Sequence, residues 1–275
     1  MTDGHDVDDA PLASGMPMLG LGTWQNTDPE ECRTAVREAL EMGYRHVDTA
    51  QAYDNEREVG EGVSRSGVPR EDVFLATKVW TSNLAYDDVL ASTRASLDRL
   101  GVDSVDLLYV HWPTGEYDPE GTLAAFDELY GEETDRVGVS NFGPRQLETA
   151  VDALDAPVFA NQVELHPLLP QEEIRAACAD LDVEVVAYSP LARGEVFDVP
   201  LLEEIADDYD TSPAGVSLAW LRAKDVTAIP KATSTAHIRD NWESLAVDLD
   251  ESDVARIDDL SREDRRVDPD WAPWN

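Results

Sequence analysis

The chain has 275 residues, which is enough for one large α/β barrel or for two average domains. Asp and Glu number 58 against 21 Lys and Arg, so the formal net charge is −37 at pH 7. A charge of this sign and size argues against binding to nucleic acid or to anionic membranes. No apolar run is long enough to span a bilayer.

The acidic residues are spread over the whole length, and the lysines are only Lys78, Lys224 and Lys231. This distribution is typical of a protein adapted to high salt, because a Debye length of roughly 3 Å at 1 M salt screens the self-repulsion of the chain. An acidic protein adapted to low salt is the alternative interpretation.

The first residues, 1–13, are acidic and lack the basic and apolar regions of a signal peptide, so we expect a disordered tail. Cys32 and Cys178 fall within predicted helices and have no metal-ligand spacing. A reducing compartment is the simplest explanation, and we therefore expect a cytoplasmic protein.

Beyond the tail, extended and helical patterns alternate along one continuous domain, residues 14–275. Gly and Pro residues within 14–24 predict a short hairpin that leads into a first strand. Further strands are predicted at 45–48, 73–79, 105–111, 136–140, 158–162, 184–189 and 226–229. Helices are predicted at 28–42, 56–64, 85–100, 122–130, 144–154, 171–181, 200–209, 213–223, 235–245 and 250–260.

The predicted strands are short and apolar, as expected when both faces of a parallel sheet are buried. Eight strand–helix units in a chain of this length predict a single (β/α)₈ TIM barrel. A doubly wound open sheet is the alternative, although no Gly-x-Gly-x-x-Gly follows an early strand, which counts against a Rossmann dinucleotide site.

Ionisable residues lie where the predicted barrel strands end, which is where barrels keep their active sites. Asp48 ends one strand, Tyr53 follows five residues later, Lys78 lies near the end of the next strand, and His111 ends the one after. A neighbouring ammonium should lower the pKa of Tyr53 from its usual value of about 10, with Asp48 keeping that ammonium charged.

These groups suit proton donation to a carbonyl oxygen, with His111 orienting that oxygen or assisting the transfer. No residue is an evident activated nucleophile, so the attacking species would be a hydride from a cofactor. A purely structural ion pair between Lys78 and Asp48 is the alternative.

Several motifs now point to one family. GYRHVDTAQAYDNEREVG (43–60) resembles the first signature of the aldo/keto reductases almost residue for residue. The other motifs follow in the family's order: LGLGTW (19–24), TKVW (77–80), DLLYVHWP (106–113), GVSNF (138–142), NQVELHP (161–167), AYSPLARG (187–194) and IPKAT (229–233). The resemblance runs from about residue 14 to the C-terminus and is nearest to the 2,5-diketogluconate reductase-like and prostaglandin F synthase-like branch.

The resemblance implies a catalytic tetrad of Asp48, Tyr53, Lys78 and His111, with Tyr53 as general acid in carbonyl reduction. It also implies NADP(H) bound without a Rossmann domain. The residues it implies for the cofactor are Ser140, Asn141 and Gln162 at the nicotinamide carboxamide, Tyr188 at the ring, Ser189 and Leu191 at the pyrophosphate, Lys231 at the 2′-phosphate, and Asp240 and Asn241 at the adenine.

The sequence departs from the family pattern near the 2′-phosphate. Ala232 and His237 stand where relatives often have serine and arginine, and the hydroxyls of Thr233 and its neighbours are possible replacements. Because Lys231 is retained, we expect a preference for NADP(H), and the two departures make NAD(H) a second possible cofactor.

Five tryptophans are candidates for the wall of a substrate pocket. Trp24, Trp80 and Trp112 each follow a predicted strand, while Trp271 and Trp274 lie in a tail that resembles the family's C-terminal substrate loop. A mainly aromatic site with a small polar centre suits aldehydes and α-dicarbonyls, so the expected partner is a small-molecule carbonyl compound.

Two other functions compete with reduction. His46, Asp48, His111 and His166 raise the possibility of a metal-dependent barrel hydrolase, which needs several histidines converging at the strand ends. A cofactor-binding sensor or regulatory subunit would keep the fold but turn over slowly.

The resemblance also implies a monomer.

Overall fold

The computed structural model describes residues 9–260 and 264–275. Most of the predicted acidic tail, residues 1–8, lies outside the described residues. The strands are β1 Leu12–Ala13, β2 Met16–Pro17, β3 Leu21–Gly22, β4 His46–Asp48, β5 Phe74–Val79, β6 Leu107–Val110, β7 Val137–Ser140, β8 Val158–Glu164, β9 Glu184–Tyr188 and β10 Thr227–Ala228.

The α-helices follow the strands in alternation. They are α1 Pro29–Met42, α2 Glu56–Arg65, α3 Tyr86–Leu100, α4 Pro119–Leu129, α5 Pro144–Ala153, α6 Glu172–Asp180, α7 Pro200–Asp208, α8 Pro213–Arg222, α9 Thr235–Glu243 and α10 Glu251–Asp258. Among the residues that the structure describes, no helix combines the length and the apolar character needed to cross a membrane.

The eight strands β3 to β10 form one parallel sheet in chain order, and β1 and β2 form an antiparallel hairpin before it. The two ends of the sheet meet. The amides of Gly20 and Gly22 donate to the carbonyls of Ala228 and Pro230, at 2.9 and 3.1 Å. The predicted hairpin and parallel eight-stranded sheet are thus confirmed, and the open-sheet alternative is not supported.

Glycine is required where β3 meets the end of the last strand. A Cβ atom on Gly22 would lie 2.6 Å from the carbonyl oxygen of Ile229, a backbone atom that has no room to retreat. The glycines of the LGLG segment therefore let the first and last strands approach closely enough to hydrogen-bond.

The strand register brings the carboxyl ends together at one rim. Asp48 pairs with Gly22 on one side and Ala76 on the other, and Ser140 pairs with Gln162. The strand residues at these ends are almost all buried, as the apolar runs predict. Polar side chains from strands that are far apart in sequence consequently face one another across the top of the sheet.

The largest error in the predicted helices is at the start of α4, which begins at Pro119 and not at residue 122. Asp118 caps this helix by accepting a hydrogen bond from the amide of Gly121 at 2.9 Å, and Pro119 occupies the first turn, where its missing N–H costs nothing. The prediction overlooked this Asp-Pro start.

Candidate active site

A cavity of about 870 Å³ opens at the carboxyl ends of the strands. Its floor includes Asp48, Tyr53 and His111, and its walls include four of the five candidate tryptophans. A volume of this size falls within the range of small-molecule and cofactor sites. The structure thus brings the predicted ionisable group to one cavity.

Lys78 is fully buried beneath this cavity and forms an ion pair with Asp48. Its ammonium also donates to the carbonyl of Thr49 at 2.9 Å. The second carboxylate oxygen of Asp48 accepts from the side-chain amide of Gln162 at 2.8 Å. Burial lowers the pKa of Lys78, whereas the Asp48 carboxylate opposes this shift. The pair is therefore held by several directed contacts.

Tyr53 ends a short 3₁₀ turn that follows β4, and its ring faces the cavity. The ammonium of Lys78 lies 5.2 Å from the ring centroid, and the His111 ring lies 5.8 Å away, centroid to centroid. Burial raises the pKa of Tyr53 well above its usual value, and the charge of Asp48 raises it further. The expected net lowering of this pKa is wrong, because burial and the Asp48 charge together raise it. The phenol is consequently protonated at neutral pH.

His111 follows β6 and is almost entirely buried. Burial lowers its pKa well below the usual value, and the Lys78 ammonium lowers it further. Within the described ranges 9–260 and 264–275, its Nδ1 atom has no hydrogen-bond partner. The imidazole at the cavity floor is therefore neutral.

Four of the residues assigned to the cofactor form one hydrogen-bonded network on the cavity wall. Asn141 adopts a left-handed backbone conformation, with φ of 65°, and its side-chain amide donates to the His111 carbonyl and to the Ser140 hydroxyl. Its amide oxygen accepts from the Tyr188 hydroxyl at 2.8 Å, and Ser140 donates to the carbonyl of Gln162. The network holds these polar groups in fixed positions at the rim.

The remaining cofactor candidates divide into two groups. Ser189 and Lys231 line the cavity, and Lys231 is exposed at its edge. The others, which lie outside its lining, are Leu191, Thr233, His237, Asp240 and Asn241. Within this second group His237 is exposed in the first turn of α9, Asn241 is buried, and Asp240 accepts from the Ser212 hydroxyl at 2.8 Å.

The tryptophans make most of the aromatic wall. Trp24, Trp80, Trp112 and Trp271 all line the cavity, and Trp271 meets Trp80 and Trp112 edge-on at centroid distances of 5.9 and 5.0 Å. Trp274, the fifth candidate, does not line this cavity. It packs 5.5 Å from Trp112 and lines a second cavity, because the chain turns back on itself between Trp271 and Trp274.

Other residues of the cavity were not predicted from the sequence. Gln51 accepts hydrogen bonds from the Trp80 amide and the Asn83 side chain, at 3.0 and 2.9 Å, and so fixes the Trp80 loop. The Arg193 guanidinium lies 4.6 Å from the centroid of Trp24. Both lie inside the family motifs at 43–60 and 187–194, but nothing in the sequence indicates which way their side chains point.

The histidines of the metal-dependent alternative do not converge. His46 is buried and its Nδ1 lies 3.1 Å from the Pro17 carbonyl, near the hairpin, while His166 pairs with Glu164. Within the part of the chain that the structure describes, no group of three His, Cys, Asp or Glu residues is arranged to hold a metal ion. The described residues therefore do not form the metal-ligand cluster that a metal-dependent hydrolase needs.

Comparison with known proteins adds an independent observation. The profile of the aldo/keto reductase family matches residues 12–262. A Trypanosoma cruzi protein, 9,11-endoperoxide prostaglandin H2 reductase, is 41% identical over 261 residues, which cover 93% of this chain and 92% of that protein. Glyoxal reductase from Bacillus subtilis is 37% identical over 251 residues, which cover 91% of each.

Solved structures of aldo-keto reductases are also similar to this chain. A Bombyx mori aldo-keto reductase in complex with NADP is 32% identical, with a TM-score of 0.87 and coverage of 94% of this chain and 95% of that one. An aldo-keto reductase from a Medee basin deep-sea metagenome library is 32% identical, with a TM-score of 0.89 and coverage of 92% and 94%.

Proposed function

Because the chain belongs to the aldo/keto reductase family, we propose that it reduces aldehydes and α-dicarbonyls to alcohols with NADP(H). One observation carries this proposal: a protonated Tyr53, a neutral His111 and the buried Lys78–Asp48 pair meet at one aromatic cavity. Such a group can donate a proton to a carbonyl oxygen at neutral pH.

The substrate class follows from the cavity wall and from the relatives. Four indole rings surround a small polar centre, which favours a carbonyl group carried on a compact or aromatic body. The Bacillus subtilis relative bears the name glyoxal reductase, and an Escherichia coli relative bears the name methylglyoxal reductase. We assign the same class of small carbonyl compound to this protein.

The residues at the rim fit a nicotinamide cofactor. Ser140, Asn141 and Gln162 present amide and hydroxyl groups for a carboxamide, the Tyr188 ring offers a face for stacking, and Lys231 supplies a cation at the cavity edge. When bound, the cofactor supplies a hydride to the carbonyl carbon. Side chains of the protein orient the carbonyl oxygen and supply its proton.

His111 acts first, by holding the carbonyl oxygen with a hydrogen bond from its neutral ring. Tyr53 then donates its phenolic proton to that oxygen, so that the alcohol forms with one hydrogen on carbon and one on oxygen. The ammonium of Lys78, 5.2 Å from the ring centroid, stabilises the resulting phenolate until solvent restores the proton. Asp48 positions that ammonium and keeps it charged.

We propose NADP(H) as the preferred cofactor and NAD(H) as a usable one. Lys231 supports the preference, because an ammonium at the cavity edge attracts a 2′-phosphate. Ala232 brings no hydroxyl, and the Thr235 hydroxyl donates to the Glu38 carboxylate at 2.6 Å, so a negative charge lies beside the start of α9. This carboxylate weakens the discrimination against NAD(H).

The high net negative charge supports a proposal about the salt conditions in which the protein works. We propose that the protein works as a monomer in the cytoplasm of a salt-adapted cell, with residues 14–275 as the catalytic domain. A net charge of −37 on a folded domain is tolerated most easily where salt screens it.

The test is an assay of NADPH and NADH oxidation at high salt with methylglyoxal, 2,5-diketogluconate and an aromatic aldehyde. We expect oxidation of NADPH with at least one of them, and slower oxidation of NADH. Cofactor binding without turnover of any carbonyl compound would favour the sensor alternative. A folded protein that neither binds nor oxidises cofactor would contradict the proposal.

A further inference from the structure

Glu164 is a completely buried carboxylate at the end of β8, on the strand that also carries Gln162. The reaction described above does not use it. A buried charge of this kind is costly unless directed hydrogen bonds satisfy it, so its partners reveal its role.

The partners of Glu164 lie in the last stretch of the chain, residues 264–275, here called the C-terminal segment. Its Oε1 atom accepts from the amide of Arg266 at 2.6 Å and its Oε2 atom accepts from the amide of Val267 at 2.8 Å. The ring of His166 lies 3.0 Å from Oε1. Burial alone would raise the pKa of Glu164, but the His166 ring and the two amides outweigh it and lower that pKa. The carboxylate is therefore ionised at neutral pH.

The clamp is the pair of hydrogen bonds that the amides of Arg266 and Val267 donate to Glu164. These two residues lead directly into the aromatic wall of the cavity. Residues 266–269 line the cavity, and the chain then turns, with the amide of Ala272 donating to the carbonyl of Pro269 at 2.8 Å. This turn places Trp271 between Trp80 and Trp112. Trp274 donates to Asp268 at 2.8 Å, which closes the segment on itself. The segment is thus a small folded unit whose attachment determines where Trp271 lies.

The other polar contacts of the segment are weaker. The Arg266 guanidinium pairs with Glu195 at 3.3 Å and with Asp264 at 2.7 Å, and all three side chains are partly exposed to solvent. The amide of Asp264 donates to the Leu168 carbonyl at 3.0 Å. Exposed ion pairs contribute little, whereas two amide hydrogen bonds to one buried carboxylate are charge-assisted and strong.

We propose that Glu164 is a positioning residue that fixes the C-terminal segment over the cavity and so sets the affinity for aromatic carbonyl substrates through Trp271. The inference rests on the proposed reductase function. It predicts a specific kinetic pattern, because Trp271 belongs to the aromatic wall of the cavity and takes no part in the proposed proton transfer. Loss of the clamp should therefore raise KM for a large substrate and spare kcat.

The experiment compares Glu164→Gln with wild type on benzaldehyde and on methylglyoxal. We expect KM for benzaldehyde to rise about tenfold, which is the cost of about 1.4 kcal/mol, with methylglyoxal changing less than about twofold. The matched control is Asp106→Asn. Asp106 also accepts a backbone amide, that of Leu75 at 2.9 Å, but lies before β6 at the opposite end of the barrel. This control should leave both KM values unchanged.

A double-mutant cycle separates positioning from general destabilisation. In a Trp271→Ala background, Glu164→Gln should change KM for benzaldehyde by less than about twofold, because both changes remove the same wall. Additive effects of the two substitutions, or an equal loss with both substrates, would overturn the proposal.

Hydrogen exchange gives a test that needs no turnover and no variant. In the wild type, the amides of Arg266 and Val267 should exchange as slowly as those of β8, since both donate to a buried carboxylate. Fast exchange of these amides would overturn the clamp even if the protein is an active reductase. Slow exchange in a protein that reduces no carbonyl compound would leave the clamp standing and refute the proposed function instead.

Discussion

The Lys78 ammonium and the Asp48 carboxylate form an ion pair that is sealed from solvent directly below the Tyr53 ring. Breaking a buried pair by removing one partner is much more costly than replacing both, because the remaining charge is left uncompensated. The pair therefore links the stability of the fold to the chemistry at its rim.

Lys78→Met tests this link. We expect the substitution to lower the free energy of unfolding by about 3 kcal/mol, because among the described residues the buried Asp48 carboxylate then keeps only the Gln162 amide as a partner. Denaturant unfolding at high salt measures the change. It should also abolish carbonyl reduction.

The double variant Asp48→Asn with Lys78→Met is the control. It should recover part of the lost stability, since no unpaired charge remains, while staying inactive. If the double variant recovers both stability and activity, then the pair serves the fold alone and Lys78 has no role in proton transfer.

The pH dependence of reduction follows from three pKa shifts. The pKa of Tyr53 is raised, so the proton-donating form persists from acid to alkaline pH. The pKa of His111 lies well below its usual value, so the neutral ring persists below pH 6.5. The pKa of Lys78 is lowered, so loss of its proton should set the alkaline limit.

We therefore expect kcat/KM for reduction to be flat through neutral pH and to fall in the alkaline range, at a pH below the usual pKa of a lysine. A steady-state profile at constant ionic strength measures this. An acid limb with an apparent pKa near that of free histidine would contradict the neutral, buried His111.

Lys231→Ala tests the cofactor preference. We expect the Kd for NADPH to rise about tenfold and the Kd for NADH to change less than about twofold, because only the former carries a 2′-phosphate to pair with the ammonium. Cofactor fluorescence titration measures both. Lys224→Ala is the matched control, since Lys224 pairs with Asp258 at 2.8 Å and does not line the cavity. Equal losses for both cofactors would place Lys231 away from that phosphate.

Salt dependence tests the interpretation of the charge. We expect the melting temperature to rise steadily as KCl increases from about 0.1 M to about 2 M, because the Debye length shortens from roughly 10 Å to less than 3 Å. Differential scanning fluorimetry with each salt step measures it. A melting temperature that is independent of salt would mean that the acidic surface carries no net repulsive cost.

The parallel sheet and much of the site could be predicted from the sequence. Short buried strands leave a strong apolar signal, and a rim residue such as Asp48 or His111 is recognisable because it interrupts that signal at a strand end. The Asp-Pro start of α4 was missed, since capping depends on one side chain and leaves little trace in the apolar pattern.

The rest of the site depends on distances that no local pattern contains. The sign of the Tyr53 pKa shift was wrong because the sequence shows that Lys78 is near but not how deeply the phenol is buried. Trp271 and Trp274 are close together in the sequence and carry the same side chain, so the sequence does not distinguish their roles. In the structure, a turn of the chain places them beside two different cavities. Glu164 could have been noticed as an acid within a buried strand, but only the fold shows what it holds.

In the proposed reaction, Tyr53 gives the proton to the carbonyl oxygen. The most direct measurement is single-turnover oxidation of enzyme-bound NADPH by methylglyoxal, comparing wild type with Tyr53→Phe at high salt. Removal of a general acid costs about 10²- to 10⁴-fold, so we expect a loss of this size with an unchanged Kd for NADPH. If Tyr53→Phe transfers hydride within about tenfold of the wild-type rate, the proton comes from another group and Tyr53 is not the general acid.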